Sequence, residues 1–375
     1  MAKRNAMSSW VTVFNRNLAA LTRNTRRLQT RAATAVVKQA IAPKQPPPTP
    51  GDWLSGTAIG PGGMRRYRLY RPPALQTGER LPLLVMLHGC GQDAASFALS
   101  TRMNALARRE RFLVLYPEQD RMASAQRCWN WFDTRSGRAH AEVALILVAI
   151  DQVCLLQPVD RTRVALAGMS AGASMAALIA SRHPARFKAV VMHSGIAPGA
   201  ADSTATALAA MRGHRLPAPW SPTPGQTLLP LPPLLVIQGG RDAVVASRNG
   251  AAAAGVWALA AGAAAGTPRN QQRGQRHPMQ VTDFKHRGRT AATLIDVGQL
   301  GHAWSGGAAR QPYSDAQGPD ASRMVWAFVS KHFPSVPRVA TARTAPQPAA
   351  SAGLPIPLLF NPFALAAWKG ATLKP

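Results

Sequence analysis

Short apolar runs alternate with longer amphipathic runs between about residues 51 and 334. Short apolar runs bounded by turn residues are typical of buried strands, and apolar positions repeating every three or four residues indicate helices. Strands that alternate with helices favour a mainly parallel sheet with helices on both faces, an α/β fold. The predicted strands are residues 64–70, 83–87, 112–116, 164–167, 189–193, 234–238 and 294–297. The predicted helices are residues 96–110, 139–156, 171–183, 250–264 and 321–332.

The alternation of strands and helices stops at both ends of the chain, which predicts three regions. These are an N-terminal segment at residues 1–50, a catalytic domain at 51–335 and a tail at 336–375. The first region predicts a basic amphipathic helix followed by a proline-rich linker. This helix could pack on its own domain, form a partly disordered tail, or contact a membrane or hydrophobic particle. The tail is rich in proline and alanine and ends in an apolar stretch at 354–368. In the first region, residues 1–50, the apolar residues at helical spacing are Trp10, Val13, Phe14, Leu18 and Leu21.

One internal stretch, residues 198–233, also departs from the alternation. It is rich in proline, alanine and threonine and precedes the predicted strand at 234–238. We expect an irregular insertion there that forms part of a lid or pocket wall.

The charge is strongly positive, with 44 Lys plus Arg against 16 Asp plus Glu and a net charge of +28. Residues 1–50 carry nine basic and no acidic side chains, and residues 336–375 carry four basic and none acidic. This balance favours contact with anionic surfaces. No helix-turn-helix, zinc-ligand or RNA-binding signature accompanies it, so specific nucleic-acid binding is not predicted.

The three cysteines are too few for a disulfide-built scaffold and lack the spacing of a metal site, although one bridge could form. No apolar run approaches the roughly 18 to 20 residues of a membrane span. A continuous apolar stretch with a secretory cleavage site is also not readable near residue 1.

The strongest chemical signal is Gly168-Met169-Ser170-Ala171-Gly172, a G-x-S-x-G sequence between an apolar run and a helix-like run. This motif requires that strand, sharp turn and helix, because the turn lifts the serine hydroxyl clear of the sheet. Ser170 is therefore the predicted nucleophile of a serine hydrolase with the α/β-hydrolase fold.

A nucleophilic serine of this fold is followed in the chain by an acid and then by a histidine. His302 is the predicted base among nine histidines, because it lies in a glycine-rich loop after the last predicted strand. Asp242 follows the strand at 234–238 and is the predicted acid, with an ordinary turn aspartate as the alternative. Asp315 and Asp320 come after His302 and do not fit the order.

The developing negative charge of an ester's tetrahedral intermediate needs hydrogen-bond donors. The amide of Ala171, directly after the nucleophile, is one predicted donor. The second is expected from the loop after the strand at 83–87, where we select the amide of Cys90. His88 in that loop is interpreted as a structural residue rather than a second base.

With these residues in place, the chain resembles the poly(3-hydroxybutyrate) depolymerase family of esterases, which includes feruloyl and acetylxylan esterase relatives. The resemblance spans roughly residues 64–332 and implies the same triad and oxyanion donors. The matching segments are residues 88–93, 101–104, 116–119, 128–132, 168–172, 193–195, 248–250 and 301–307.

The resemblance further implies that Trp129 and Trp131 line the substrate cleft and that Cys90 pairs with Cys128. Two buried free thiols are the alternative in a reducing compartment. It also implies an extracellular location, whereas the lack of a readable leader keeps a cytoplasmic one open.

The predicted function is a serine esterase that hydrolyses short-chain aliphatic esters, poly- or oligo(3-hydroxybutyrate) first among them, without a metal or organic cofactor. One alternative is a feruloyl or acetylxylan type of carboxylesterase. The other is a protein that binds storage granules or anionic membranes through residues 8–28, with a secondary hydrolase core.

Overall fold

The computed structural model describes residues 49–219 and 229–335. All helices and strands in these ranges belong to one compact unit that ends at Pro334. The strands are β1 (Asp52–Gly60), β2 (Gly63–Arg71), β3 (Leu81–Leu87), β4 (Leu113–Pro117), β5 (Val159–Met169), β6 (Val190–His193), β7 (Leu234–Gly239), β8 (Ala264–Ala265), β9 (Arg269–Gln271), β10 (Met279–His286), β11 (Arg289–Val297), β12 (Trp304–Ser305) and β13 (Ser314–Asp315). The α-helices are α1 (Ala94–Thr101), α2 (Met103–Glu110), α3 (Arg138–Leu156), α4 (Ala171–Arg182), α5 (Thr204–Met211), α6 (Arg248–Ala260) and α7 (Ala321–Lys331).

The main sheet has the strand order β1-β2-β4-β3-β5-β6-β7-β11-β10-β8, and β9 also pairs with β10. Its six central strands, from β4 to β11, are parallel to one another. The pairs β1–β2, β2–β4 and β10–β11 are antiparallel. The loops after β3, β5, β7 and β11 therefore share one edge of the sheet, where open α/β sheets bind their ligands.

Alternate residues of the central strands enter two apolar cores, one on each face of the sheet. Leu83, Val85 and Leu87 of β3 pack with α3, α4 and α6, whereas Leu84 and Met86 pack with α1, α2 and α7. Burial on both faces explains why these strands are continuous apolar runs rather than alternating ones. The predicted α/β class, with helices on both faces of a mainly parallel sheet, is confirmed.

All seven predicted strands are present, with ends that differ by a few residues. The single helix predicted at 96–110 is wrong, because the chain breaks at Arg102 into α1 and α2. Arg102 has a φ of 55°, which no helix interior allows. The insertion at 198–233 is not wholly irregular, since it contains α5, which begins with a capping box from Ser203 and Thr206.

Helix α3 is long and apolar enough to cross a membrane by length and composition alone. In the structure, 56% of its most apolar 18-residue window is buried, and Val143, Ile146 and Ile150 lie in the core beside the sheet. Core packing therefore accounts for the apolar character of this helix.

The predicted amphipathic segment at 8–28 and the apolar stretch at 354–368 lie outside the described residues. The boundaries at 50 and 335 that separate them from the central domain stay predictions.

Candidate active site

Ser170 lies on a sharp turn between β5 and α4, which we call the nucleophile turn (residues 168–172). Its φ of 55° and ψ of −123° are unusual for a side chain with a Cβ atom, and its amide donates to the carbonyl of His193 at 2.9 Å. A methyl group on Gly168 would lie 2.3 Å from the carbonyl oxygen of Gly172, and one on Gly172 would lie 2.1 Å from that of Leu87. Only glycine fits at both positions, which explains the spacing of the motif.

The structure brings the three predicted triad residues together in one hydrogen-bonded chain. His302 Nε2 lies 3.0 Å from Ser170 Oγ, and His302 Nδ1 lies 2.8 Å from Asp242 Oδ2. Because a carboxylate oxygen only accepts, Nδ1 carries the proton and Nε2 is free to accept from the serine hydroxyl. This is the arrangement that a general base needs.

Asp242 follows β7, and its side chain is completely shielded from solvent. Its Oδ1 accepts the amides of Val244 and Val245 at 2.9 and 2.8 Å, which leaves Oδ2 for His302. Burial on its own raises the pKa of this carboxyl. The hydrogen bond and charge of His302 together with the two amides outweigh burial, so the pKa is lowered. The carboxylate is therefore ionised at neutral pH.

His302 lies in the segment we call the histidine loop (residues 298–306), which the buried side chain of His193 supports. The amide of Ser305 donates to His193 Nε2 at 3.1 Å, and the His193 ring stacks on Trp304. Burial, aided by the nearby His302, lowers the pKa of His193 to about 3. His193 is therefore neutral and can accept this bond at physiological pH.

The two predicted oxyanion donors belong to residues that line the cleft beside the nucleophile. The amide of Ala171 begins α4 directly after Ser170, and the amide of Cys90 follows Gly89, where a methyl group would lie 3.6 Å from Ser170 Cβ. Within residues 49–219 and 229–335, neither amide donates to another protein group. Both are therefore available to an oxygen that develops charge beside Ser170.

Cys90 and Cys128 are joined by a disulfide, the pairing that the family resemblance implied. The amide of the adjacent Gly91 donates to the carbonyl of Gln126 at 2.7 Å. Two connections thus hold residues 88–93, which we call the oxyanion loop, against the segment before the tryptophans. Cys154 is buried and unpaired, in α3.

A cleft opens above Ser170. Its walls are mostly apolar, and its polar side chains, apart from Ser170 and His302, are few. Among the described residues no group of three His, Cys, Asp or Glu side chains is close enough to hold a metal ion. The cleft is lined by Gly89, Cys90, Gln92, Cys128, Trp129, Trp131, Phe132, Met169, Ser170, Ala171, Ser174, Ile196, Ala207, Met211, Val244, Val245, His302 and Tyr313.

Both predicted tryptophans line this cleft, but they differ in their environment. Trp129 is completely buried, and its indole N–H donates to the carbonyl of His88 at 3.0 Å. Trp131 is 8% exposed and packs edge-on against Phe132. Trp131 therefore has the freer surface for a substrate, whereas Trp129 also supports the oxyanion loop.

Several cleft residues were missed by sequence reasoning. Val244 and Val245 follow Asp242 directly, so their position could have been inferred from that of the acid. Ala207 and Met211 are four residues apart on α5, inside the segment expected to be irregular. Tyr313 comes from the loop beyond the histidine, and no motif marks it.

A family model and two curated relatives match the central part of the chain. A family model described as "Esterase PHB depolymerase" matches residues 65–271, which include Ser170, Asp242 and Cys90 but end before His302. The chain is 29% identical over 170 residues to poly(3-hydroxyalkanoate) depolymerase C of Paucimonas lemoignei, covering 44% of this chain and 40% of that protein. It is 31% identical over 150 residues to feruloyl esterase B of Neurospora crassa, covering 38% and 49% respectively. The chain thus matches less than half the length of these relatives.

A solved structure, the acetyl xylan esterase from Aspergillus awamori, superposes with a TM-score of 0.55 at 19% identity. The match covers 67% of this chain and 94% of that one. At this identity the likeness concerns the fold, and it supports the α/β-hydrolase assignment made from the sequence.

Proposed function

Because the chain belongs to the Esterase PHB depolymerase family, we propose that it is a serine esterase with Ser170 as nucleophile, His302 as general base and Asp242 as the orienting acid. The observation that carries this proposal is the chain of hydrogen bonds from Asp242 through His302 to Ser170 at the floor of an apolar cleft. That arrangement supports acyl transfer through a covalent intermediate.

In the first step, His302 Nε2 takes the proton of the Ser170 hydroxyl while Oγ bonds to the ester carbonyl carbon. The carbonyl oxygen becomes an oxyanion and accepts from the amides of Cys90 and Ala171. The intermediate then breaks its bond to the alcohol oxygen, which takes the proton from His302 as it leaves. In the second step a water gives a proton to His302 and its oxygen bonds to the acyl carbon. The bond from that carbon to Ser170 Oγ then breaks, Oγ takes the proton back from His302, and the acid product leaves.

The cleft lining favours an aliphatic acyl group. The side chains of Ile196, Met211, Val244 and Val245 offer apolar contact and few hydrogen-bond partners. We propose short hydroxyacyl esters, above all poly- or oligo(3-hydroxybutyrate), as the substrate class, in keeping with the name of the Paucimonas relative. Feruloyl or acetyl esters of polysaccharide are the alternative, which the names of the other relatives favour.

The test compares wild type with Ser170→Ala on amorphous poly(3-hydroxybutyrate), p-nitrophenyl butyrate, methyl ferulate and acetylated xylan. We expect release of 3-hydroxybutyrate and its oligomers by the wild type only. Hydrolysis of the small ester without the polymer would keep the mechanism and move the substrate to soluble or polysaccharide esters. An Ser170→Ala enzyme with wild-type rates on every substrate would overturn the site.

We also propose that residues 8–28 attach the enzyme to granules or anionic membranes, because this segment combines apolar residues at helical spacing with arginines and no acidic residue. Deletion of residues 1–45 should abolish binding to polymer granules and to anionic vesicles while p-nitrophenyl butyrate hydrolysis continues. Unchanged binding by the shortened protein would contradict the attachment.

A further inference from the structure

The peptide unit between Gly89 and Cys90 carries the proposed oxyanion donor on one side and a carbonyl on the other. In a planar trans peptide the N–H and C=O point in opposite directions. The orientation of the Gly89 carbonyl therefore decides where the Cys90 amide points. If this peptide turned over, a carbonyl oxygen would face the developing negative charge and repel it.

The Gly89 carbonyl has a side-chain partner, His88, whose Nδ1 lies 2.8 Å from it, and it also accepts the backbone amide of Gln92 at 3.3 Å. A carbonyl oxygen only accepts, so His88 Nδ1 carries a proton. On the other side of the ring, Nε2 accepts the amide of Gln119 at 3.1 Å. The two bonds require the same tautomer, with the proton on Nδ1, so they reinforce each other.

The surroundings of His88 hold the ring in that tautomer. The residue is 1% exposed, and burial lowers its pKa to about 4, so the ring is neutral at physiological pH. Its own carbonyl accepts the indole N–H of Trp129. Gln119 is fixed in turn, because its side-chain amide donates to the buried Glu142 at 2.6 Å and to the Cys128 carbonyl at 3.1 Å.

We propose that His88 is the positioning residue of the oxyanion hole, which holds the Gly89–Cys90 peptide with its N–H directed toward the oxyanion. The inference rests on the proposed function of Ser170 and Cys90. His88 does not line the cleft and makes no hydrogen bond to the triad residues in the described structure, so it acts through the peptide that it orients.

The disulfide alone does not fix the orientation of the Gly89–Cys90 peptide. It fixes the side chain of Cys90, whereas the peptide turns about the bonds on either side of it, and one of these belongs to a glycine. Glycine offers little resistance to such a rotation. Two bonds to the Gly89 carbonyl therefore select one of the two peptide orientations, the short one from the His88 side chain at 2.8 Å and a longer one from the Gln92 amide at 3.3 Å.

The test uses two substitutions of His88, each of which keeps one of the two hydrogen bonds of the ring. In His88→Asn the side-chain amide nitrogen takes the place of Nδ1 and still donates to Gly89. In His88→Gln the amide reaches the place of Nε2 and still accepts from Gln119, but the donor to Gly89 is lost. His183→Asn, a half-buried histidine at the far end of α4, is the control for a general effect of the substitution.

We expect His88→Gln to lower kcat on p-nitrophenyl butyrate about 10- to 100-fold with KM within about twofold, because removal of an oxyanion donor costs about 100- to 1,000-fold. Its affinity for butylboronic acid, which forms a tetrahedral adduct on serine, should fall in parallel. His88→Asn should stay within about fivefold of wild type in both measurements, and His183→Asn should match wild type. Equal losses in the Asn and Gln variants, or losses that follow their melting temperatures, would overturn the proposal.

Two readouts keep this test separate from that of the substrate. Ser170 labelling by an alkyl fluorophosphonate measures nucleophile and oxyanion donors without any natural ester, and His88→Gln should slow it about 10-fold or more. The ¹⁵N resonances of the wild-type His88 ring should show a proton on Nδ1 at pH 7. A proton on Nε2 would refute the positioning role even in an active esterase. A wild type that labels but hydrolyses no ester would refute only the substrate proposal.

Discussion

The nucleophile turn and the histidine loop lie at the same edge of the sheet but hold their residues by different means. In the nucleophile turn, backbone atoms approach so closely that methyl groups on Gly168 or Gly172 would overlap carbonyl oxygens. In the part of the histidine loop before His302, methyl groups on Gly298 or Gly301 would meet nothing within 4 Å, whereas one on Gly306, after the base, would lie 2.5 Å from Asp320 Cα. His302 is instead held through hydrogen bonds, its own to Asp242 and that of Ser305 to His193.

The nucleophile turn should therefore matter mainly for the stability of the fold, and the histidine loop mainly for the orientation of the proposed base. Substitutions of the glycines in the nucleophile turn should lower the free energy of unfolding, because an added methyl group would overlap backbone atoms that cannot move away locally. Changes around the histidine loop should act on the orientation of the base and leave the fold in place.

The largest effect is expected for Asp242→Asn, which should lower kcat about 10,000-fold with little change in folding. The new amide offers a donor where His302 needs an acceptor, so it favours the wrong tautomer of the base. Kinetics with p-nitrophenyl butyrate and thermal unfolding would measure both effects. Activity within about 10-fold of wild type would refute the assignment of the acid.

Gly172→Ala and Gly301→Ala compare the two regions directly. The first places a methyl group 2.1 Å from the Leu87 carbonyl oxygen and should cost about 3 kcal/mol or more of the free energy of unfolding. The second enters open space and should change it by less than about 1 kcal/mol. Denaturant unfolding of the two variants measures the difference, and similar losses would remove the contrast between turn and loop.

His193→Leu removes the acceptor of the Ser305 amide and should lower kcat about 10-fold, with a loss of about 1 to 3 kcal/mol of stability for the unpaired amide. The carbonyl that accepts from Ser170 is unchanged, so the loss belongs to the histidine loop. His193→Gln keeps an acceptor near Nε2 and is the matched control. A leucine variant as active as the glutamine variant would show that this bond does not place the base.

The last prediction concerns pH, and its effect is smallest near neutrality. Burial lowers the pKa of His193 to about 3 and that of His88 to about 4, from 6.5. Between pH 6.5 and 4 the unfolded chain therefore binds protons that the native protein does not, and the free energy of unfolding falls as the pH falls. The stability associated with each neutral histidine is fully present above pH 6.5. Below that pH each histidine adds at most about 1.4 kcal/mol per pH unit to the slope of the free energy of unfolding against pH. His193→Gln should reduce the slope of denaturant-measured stability against pH by up to one proton, and an unchanged slope would contradict the neutral state of His193.

Much of the site could be predicted because the chemistry requires a fixed local order. The G-x-S-x-G sequence lies between an apolar run and a helical one, so it placed Ser170, and chain order then selected Asp242 and His302. The central strands were equally readable, since burial on both faces makes them apolar throughout. The roles of these residues are still proposals, although the structure brings their side chains together.

Other features depend on distant contacts that no local pattern reveals. Arg102 breaks a helix without glycine or proline nearby, and its guanidinium reaches the carbonyl of Gly306, 204 residues away. Strand β10 has a partly exposed, polar pattern, is followed in the sheet only by the short strands β8 and β9, and was not predicted. Helix α5 was hidden by the composition around it, although Ser203 and Thr206 are a capping signal that could have revealed it.

The parallel sheet also sets when the site can first exist during synthesis. Its four functional groups come from residues 90, 170, 242 and 302, each after a different strand. The base is the last of these to leave the ribosome, long after the nucleophile, and its strand must then insert between β7 and β10. A nascent chain that stops before β11 would therefore carry an exposed serine but no means of activating it. The proposed triad can therefore be assembled only after β11 and the histidine loop have been made.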